Sequence, residues 1–136
     1  MSDRTDLVDV LARLSFLVQG TLSDLAAEHG LSLAQVRLGG ILRDHEPTMN
    51  ELGQHLGLDK SSVSGLVDRA ERRGLVVRRP STSDRRVVHV IITAEGRALA
   101  EQVGAAFADQ VETLTANLTA TDRRALVRAA GRILIT

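Results

Sequence analysis

With 136 residues the chain is sized for one domain, and its lack of cysteine excludes disulfides, thiolate metal sites and thiol-based redox sensing. Seventeen Lys and Arg balance seventeen Asp and Glu, so net charge taken alone argues against a polyanionic partner. No apolar run approaches the ~18 residues of a membrane span, and Met-Ser-Asp-Arg-Thr-Asp lacks the basic-then-apolar order of a signal peptide, so a cytoplasmic protein without membrane contact is expected.

Residues 6–28 place Leu7, Val10, Leu11, Leu14, Leu17, Val18, Leu22 and Leu25 three and four positions apart, which predicts an amphipathic helix that Gly30 ends. Ser32 with Gln35 has the spacing of a capping box and opens a second helix running to about Arg43. Pro47 marks the loop after it. Thr48 with Glu51 repeats the box and starts a short helix carrying Leu52 and Leu56 inward, with Gly57 as its stop.

The next helix begins near Asp59 to Ser61 and sets Val63, Leu66, Val67 and Ala70 on a buried face. Its opposite face is Ser61, Gly65, Asp68 and Arg72, flanked by Ser62, Ser64 and Arg69. Gly65 in mid-helix costs about 1 kcal/mol relative to Ala. A helix seated in a major groove accounts for it, because a missing side chain lets the backbone approach the bases while serines bond to phosphates or base edges. A tolerated surface glycine beside solvated serines is the simpler alternative. Asp68 would repel phosphate; its neighbours Arg69 and Arg72 (i,i+4) suggest that it orients a guanidinium or accepts from a cytosine amino group.

Residues 75–93 read as a β-hairpin, two β-branched runs around a Pro/Ser/Thr/Asp cluster whose tip carries Asp84, Arg85 and Arg86. An arginine-tipped hairpin suits a DNA minor groove. Charge is also unevenly spread. Residues 1–59 hold four Arg against nine acids, residues 60–97 hold nine cations against four acids, and residues 98–136 hold four of each. Positive charge thus concentrates on one helix and the hairpin, the footprint of local phosphate neutralisation. Helix, tight turn, polar-faced helix and basic hairpin together predict a winged helix-turn-helix, mainly α with a small β-hairpin wing.

At this point the chain resembles the MarR family of bacterial transcriptional regulators over nearly its whole length. The resemblance is carried by Thr48-Met49-Asn50-Glu51-Leu52 through Leu56-Gly57-Leu58, by Ser61 through Val76, and above all by Asp84-Arg85-Arg86-Val87-Val88-His89-Val90-Ile91-Ile92-Thr93-Ala94-Glu95-Gly96. It implies a recognition helix at 61–73, a wing at 76–92 with Arg86 in the minor groove, Asp84 holding that arginine, and Arg85 on the backbone or groove edge. The expected DNA-contacting set is Lys60, Ser61, Ser62, Ser64, Gly65, Arg69, Arg72, Arg73, Asp84, Arg85 and Arg86. The implied partner is an inverted-repeat operator in double-stranded DNA, repression the expected outcome, and the site has no catalytic residues.

The resemblance further implies one domain, residues 1–136, with a DNA-binding region at about 31–95 and dimerisation helices at about 1–30 and 96–136. Leu7, Leu11 and Leu14 with Leu126, Val127, Ile133 and Ile135 supply apolar surface for a homodimer, or alternatively an intrachain core. MarR-like proteins often bind small, frequently aromatic acids where the dimer and DNA-binding regions meet, so a small-molecule effector is open. Ala98, Ala100, Gly104, Ala105, Ala106 and Ala108 would let the second and fifth helices approach closely. Only two aromatic residues exist, however, and a stacking pocket is hard to build. Phe16, Arg13 and His45 are possible pocket residues by position, but each reads more simply as structural or solvated.

No cofactor is expected. His29, His45, His55 and His89 have no short metal-binding spacing, although a metal-responsive regulator remains an alternative, as does a winged helix that binds protein. No phosphate loop, nucleophile elbow or zinc-hydrolase motif points to an enzyme.

Overall fold

Two glycines set the first turns of the chain. Gly30, at φ 68°, follows α1 (Asp3–Glu28), and Gly57, at φ 65°, ends α3 (Met49–Leu56), both in the left-handed region that favours residues without Cβ. The computed structural model describes residues 2–135. Between those stops lies α2 (Leu33–Leu42), and beyond them follow α4 (Lys60–Arg72), β1 (Val76–Pro80), β2 (Val88–Ile92), α5 (Ala94–Leu114) and α6 (Ala120–Ile133).

The two expected capping boxes are formed in full. Ser32 Oγ accepts from the Gln35 N–H while the Gln35 side chain accepts from the Ser32 N–H, and Thr48 and Glu51 do the same for α3. α1 begins earlier than the apolar pattern suggested, because Ser2 caps it by accepting from the Thr5 N–H.

The main core cluster lies within residues 38–90. Leu38 and Leu42 of α2, Leu52 and Leu56 of α3, Val63, Leu66, Val67 and Ala70 of α4, Val76 of β1 and Val90 of β2 bury one another. The four α4 residues are those that helical periodicity assigns inward. β1 and β2 pair antiparallel with Val76 opposite Ile92 and Pro80 opposite Val88.

A bridge between the segment before α3 and the hairpin was not expected. Thr48 bridges His89, the Val90 N–H donates to the Pro47 carbonyl at 2.9 Å, and His89 Nδ1 lies 2.7 Å from the Glu46 carbonyl. The segment leading into α3 is therefore stitched to the far edge of the hairpin. The junction of β2 and α5 is equally fixed. Thr93 Oγ1 donates to the Gly74 carbonyl at 2.6 Å and accepts from the Gly96 N–H, and a Cβ on Gly96 would overlap the Leu75 carbonyl. That contact explains why the Thr-x-x-Gly spacing follows the wing.

The terminal helices remain open to solvent. α6 contains no buried residue, and Leu7, Leu11, Leu14, Leu126, Val127, Ile133 and Ile135 are all exposed, so they do not fill an intrachain core. Among the described residues no helix is long and apolar enough to cross a membrane.

Candidate nucleic-acid interface

The turn between α3 and α4 sets the angle at which α4 is offered. Leu58 N–H donates to the Gly53 carbonyl at 3.0 Å, and a Cβ on Gly53 would press on Leu58 O and Val63 Cγ2, so a small residue keeps this turn tight. Asp59 caps α4, accepting from the Ser62 N–H at 2.8 Å and the Ser61 hydroxyl at 3.0 Å. These hydrogen bonds, the Ser62 N–H foremost, hold the Asp59 carboxyl below the usual aspartate range.

One open groove runs between α3, the start of α4 and the wing. It brings together Lys60 and Ser64 of α4 and Arg86 of the wing, three expected contact residues, with Asn50 and Gln54 of α3 on its other wall. Sequence reasoning missed Asn50 and Gln54. Their signal was available: both stand off the Leu52/Leu56 stripe of α3 and carry amides able to read base edges.

Along α4, Ser61, Ser62, Arg69 and Arg72 are exposed, while Ser64 and Gly65 are half-buried. Arg69 folds back so that its Nη1 would lie 3.3 Å from a Cβ on Gly65. The glycine thus leaves room for that guanidinium as well as for an approaching partner. Asp68 does orient a guanidinium, but its partner is Arg78 of β1 at 2.8 Å and not Arg72.

Arg73 stands apart from this surface. Its Nη1 donates to the Gly30 carbonyl at 2.8 Å and its Nη2 to the His29 carbonyl at 3.3 Å, where they satisfy carbonyls just after α1. In this structure it braces the end of α4 against the turn after α1.

The wing tip carries the expected ion pair. Arg86 Nε donates to Asp84 Oδ1 and Nη2 to Oδ2, each at 3.2 Å, and the Arg86 N–H donates to Oδ1 at 3.0 Å. Donation from the Arg86 side chain, then from its backbone, keeps the Asp84 carboxyl below the usual range. The Arg86 side chain is nevertheless 92% exposed against 40% for Asp84, so the pair aims the arginine without hiding it. Arg85 is exposed beside it.

A cavity of about 170 Å³ lies behind the interface, lined by Leu22, Gln35, Arg43, Leu75, Val103 and Phe107 among others. Its wall is mostly apolar, and Gly96, Ala100 and Gly104 are the small residues of α5 that line it, whereas Ala98, Ala105 and Ala108 are exposed. Of the possible pocket residues, Phe16 points to solvent, Arg13 pairs with Asp9 at 3.7 Å, and His45 lines a separate shallow depression with Arg97. Among the described residues no three His, Asp or Glu side chains converge to hold a metal.

A winged helix-turn-helix with an arginine-tipped wing is the class that this geometry defines. Residues 29–87 match the model of the MarR family. It is 34% identical over 79 residues to the HTH-type transcriptional repressor YetL of Bacillus subtilis, a match covering 56% of this chain and about half, 47%, of YetL. Wild-type MarR of E. coli superposes with a TM-score of 0.83 at 26% identity, over 94% of this chain and 96% of that one. CouR of Rhodococcus jostii RHA1, solved bound to p-coumaroyl-CoA, gives 0.79 at 26% identity, over 96% and 94%.

Proposed function

We propose that the chain is a sequence-specific DNA-binding transcriptional regulator that works as a homodimer and represses from an inverted-repeat operator. The observation that carries this reading is the groove in which Lys60, Ser64 and Arg86 meet, with the Asp84–Arg86 pair presenting a guanidinium from a rigid tip. Residues 61–72 of α4 would enter a major groove, and Arg86 the adjoining minor groove, where negative potential is strongest in A·T-rich sequence. Lys60, Ser61, Ser62, Arg69, Arg72 and Arg85 complete the contact set, joined by Asn50 and Gln54.

The second copy would cover the exposed apolar side chains of α1 and α6. A two-fold axis then sets the recognition helices about one turn of DNA apart, which requires an operator of matching symmetry. The cavity behind α2 and α5 is in the size class that accepts a single aromatic ring. Gln35 and Arg43 on its wall suit a small amphipathic acid whose binding releases the DNA.

The experiment is DNA binding by Arg86→Ala. Affinity should fall at A·T-rich minor-groove positions while the dimer persists. Unchanged affinity and an unchanged salt slope on a genomic operator would show that the wing does not touch DNA.

A further inference from the structure

The proposed recognition helix is acidic where acid is least welcome. α4 carries Lys60, Arg69 and Arg72, but also Asp68 and Glu71, both on its exposed side. A free carboxylate there would repel phosphate and offset much of the attraction of its neighbours. Neither carboxylate is free. Arg78 Nη1 lies 2.8 Å from Asp68 Oδ1 and 2.8 Å from Glu71 Oε1, its Nη2 lies 3.5 Å from the Ser64 carbonyl, and its backbone N–H donates to Glu71 Oε2 at 3.3 Å.

Ser64, Asp68 and Glu71 stand at i, i+4 and i+7, a single stripe of α4 facing the hairpin. Arg78 sits mid-strand opposite Val90, so one planar guanidinium spans two turns of helix from the centre of β1. Its side chain is only 26% exposed, against 92% for Arg86. The first arginine is held and the second is presented.

We propose that Arg78 is the positioning residue of the DNA-binding surface. It offsets one of the two negative charges of Asp68 and Glu71, holds both carboxylates in place and locks the wing to α4, so that Ser64 and Arg86 reach neighbouring grooves at a fixed offset, without itself meeting DNA. This inference rests on the DNA-binding reading above.

The test uses the full-length protein, the duplex that wild type selects from fragmented genomic DNA, and a mixed-sequence duplex as control. Arg78→Gln should bind both duplexes about tenfold or more weakly, because two carboxylates are left unpaired beside phosphate. Adding Asp68→Asn and Glu71→Gln should restore binding to mixed-sequence DNA. Discrimination between the two duplexes should stay reduced, since the wing is no longer fixed. Arg78→Lys, which keeps the charge and loses the planar fork, should likewise bind mixed DNA nearly as wild type does and discriminate less.

Wild-type behaviour in either single variant overturns the proposal, as does a triple variant that recovers no binding. So does a salt slope shallower by about one in Arg78→Gln, the mark of a lost phosphate contact. A wild-type protein that binds neither duplex removes the DNA-binding reading itself, an outcome separate from every variant result.

Discussion

Arg73 donates to the Gly30 carbonyl at 2.8 Å across 43 positions of sequence, joining the end of α4 to the end of α1. Arg73→Gln should therefore lower stability by about 1 kcal/mol, the usual net worth of such hydrogen bonds at an exposed site. The salt slope of DNA binding should stay that of wild type. Thermal unfolding and a salt titration measure the two effects, and a slope reduced by about one would return Arg73 to the DNA surface.

Asp84 supplies a pH-dependent prediction. Its carboxyl is held below the usual aspartate range by the Arg86 guanidinium and backbone N–H, so its folded pKa lies under its unfolded one. The pair therefore contributes fully above the unfolded value, about 3.9, and its contribution fades as pH falls through the lower folded value. A carbon-detected NMR titration of the Asp84 carboxyl should show a midpoint below that of free aspartate, and Arg86→Gln should raise it. A midpoint already at the free value would mean that the tip is not paired in solution.

Two glycine substitutions separate fold from function. Gly96→Ala drives a Cβ into the Leu75 carbonyl and should cost about 1–3 kcal/mol in urea unfolding. Gly65→Ala meets only the flexible end of Arg69 and should gain up to about 1 kcal/mol from helix propensity. DNA affinity should nevertheless weaken by on the order of 1 kcal/mol, as the new methyl and the displaced guanidinium hold the helix off the bases. Tighter binding by the stabilised variant would remove Gly65 from the interface.

Leu11→Glu tests the dimer. Burying an unpaired carboxylate between two copies costs about 3–5 kcal/mol, so sedimentation should report half the wild-type mass at micromolar protein. Residue 11 is exposed in the single chain, and the helical circular dichroism of α1 to α5 should survive. A variant still dimeric places the interface elsewhere.

The helices were legible because their signals are local. Ser32 and Gln35, Thr48 and Glu51, and the Val63/Leu66/Val67/Ala70 stripe each fix an element from within one or two turns. Asp84 and Arg86 were legible for the same reason, being two residues apart. Arg78 was not, since Asp68 had a plausible local partner in Arg72 and only the packing of β1 on α4 brings in the stronger one. Arg73 lies in the same turn as Arg72, and nothing in α4 itself tells that this end meets α1. The bridge before α3 was hidden by Pro47, whose carbonyl accepts a hydrogen bond although its nitrogen has none to give. The cavity behind α2 and α5 is a void that arises only where helices and the hairpin, far apart in sequence, fail to close.

The short stretch from Asp44 to Thr48 has the composition of a connector, a place where chains usually tolerate added or lost residues. Here both ends are pinned, one by the end of α2 and the other by Pro47 and Thr48 on β2. Its length is therefore a fixed dimension of the molecule. One residue more or less would turn Thr48 away from its cap on α3 or break its bridge to His89, and either change would displace the groove where Lys60 and Arg86 meet.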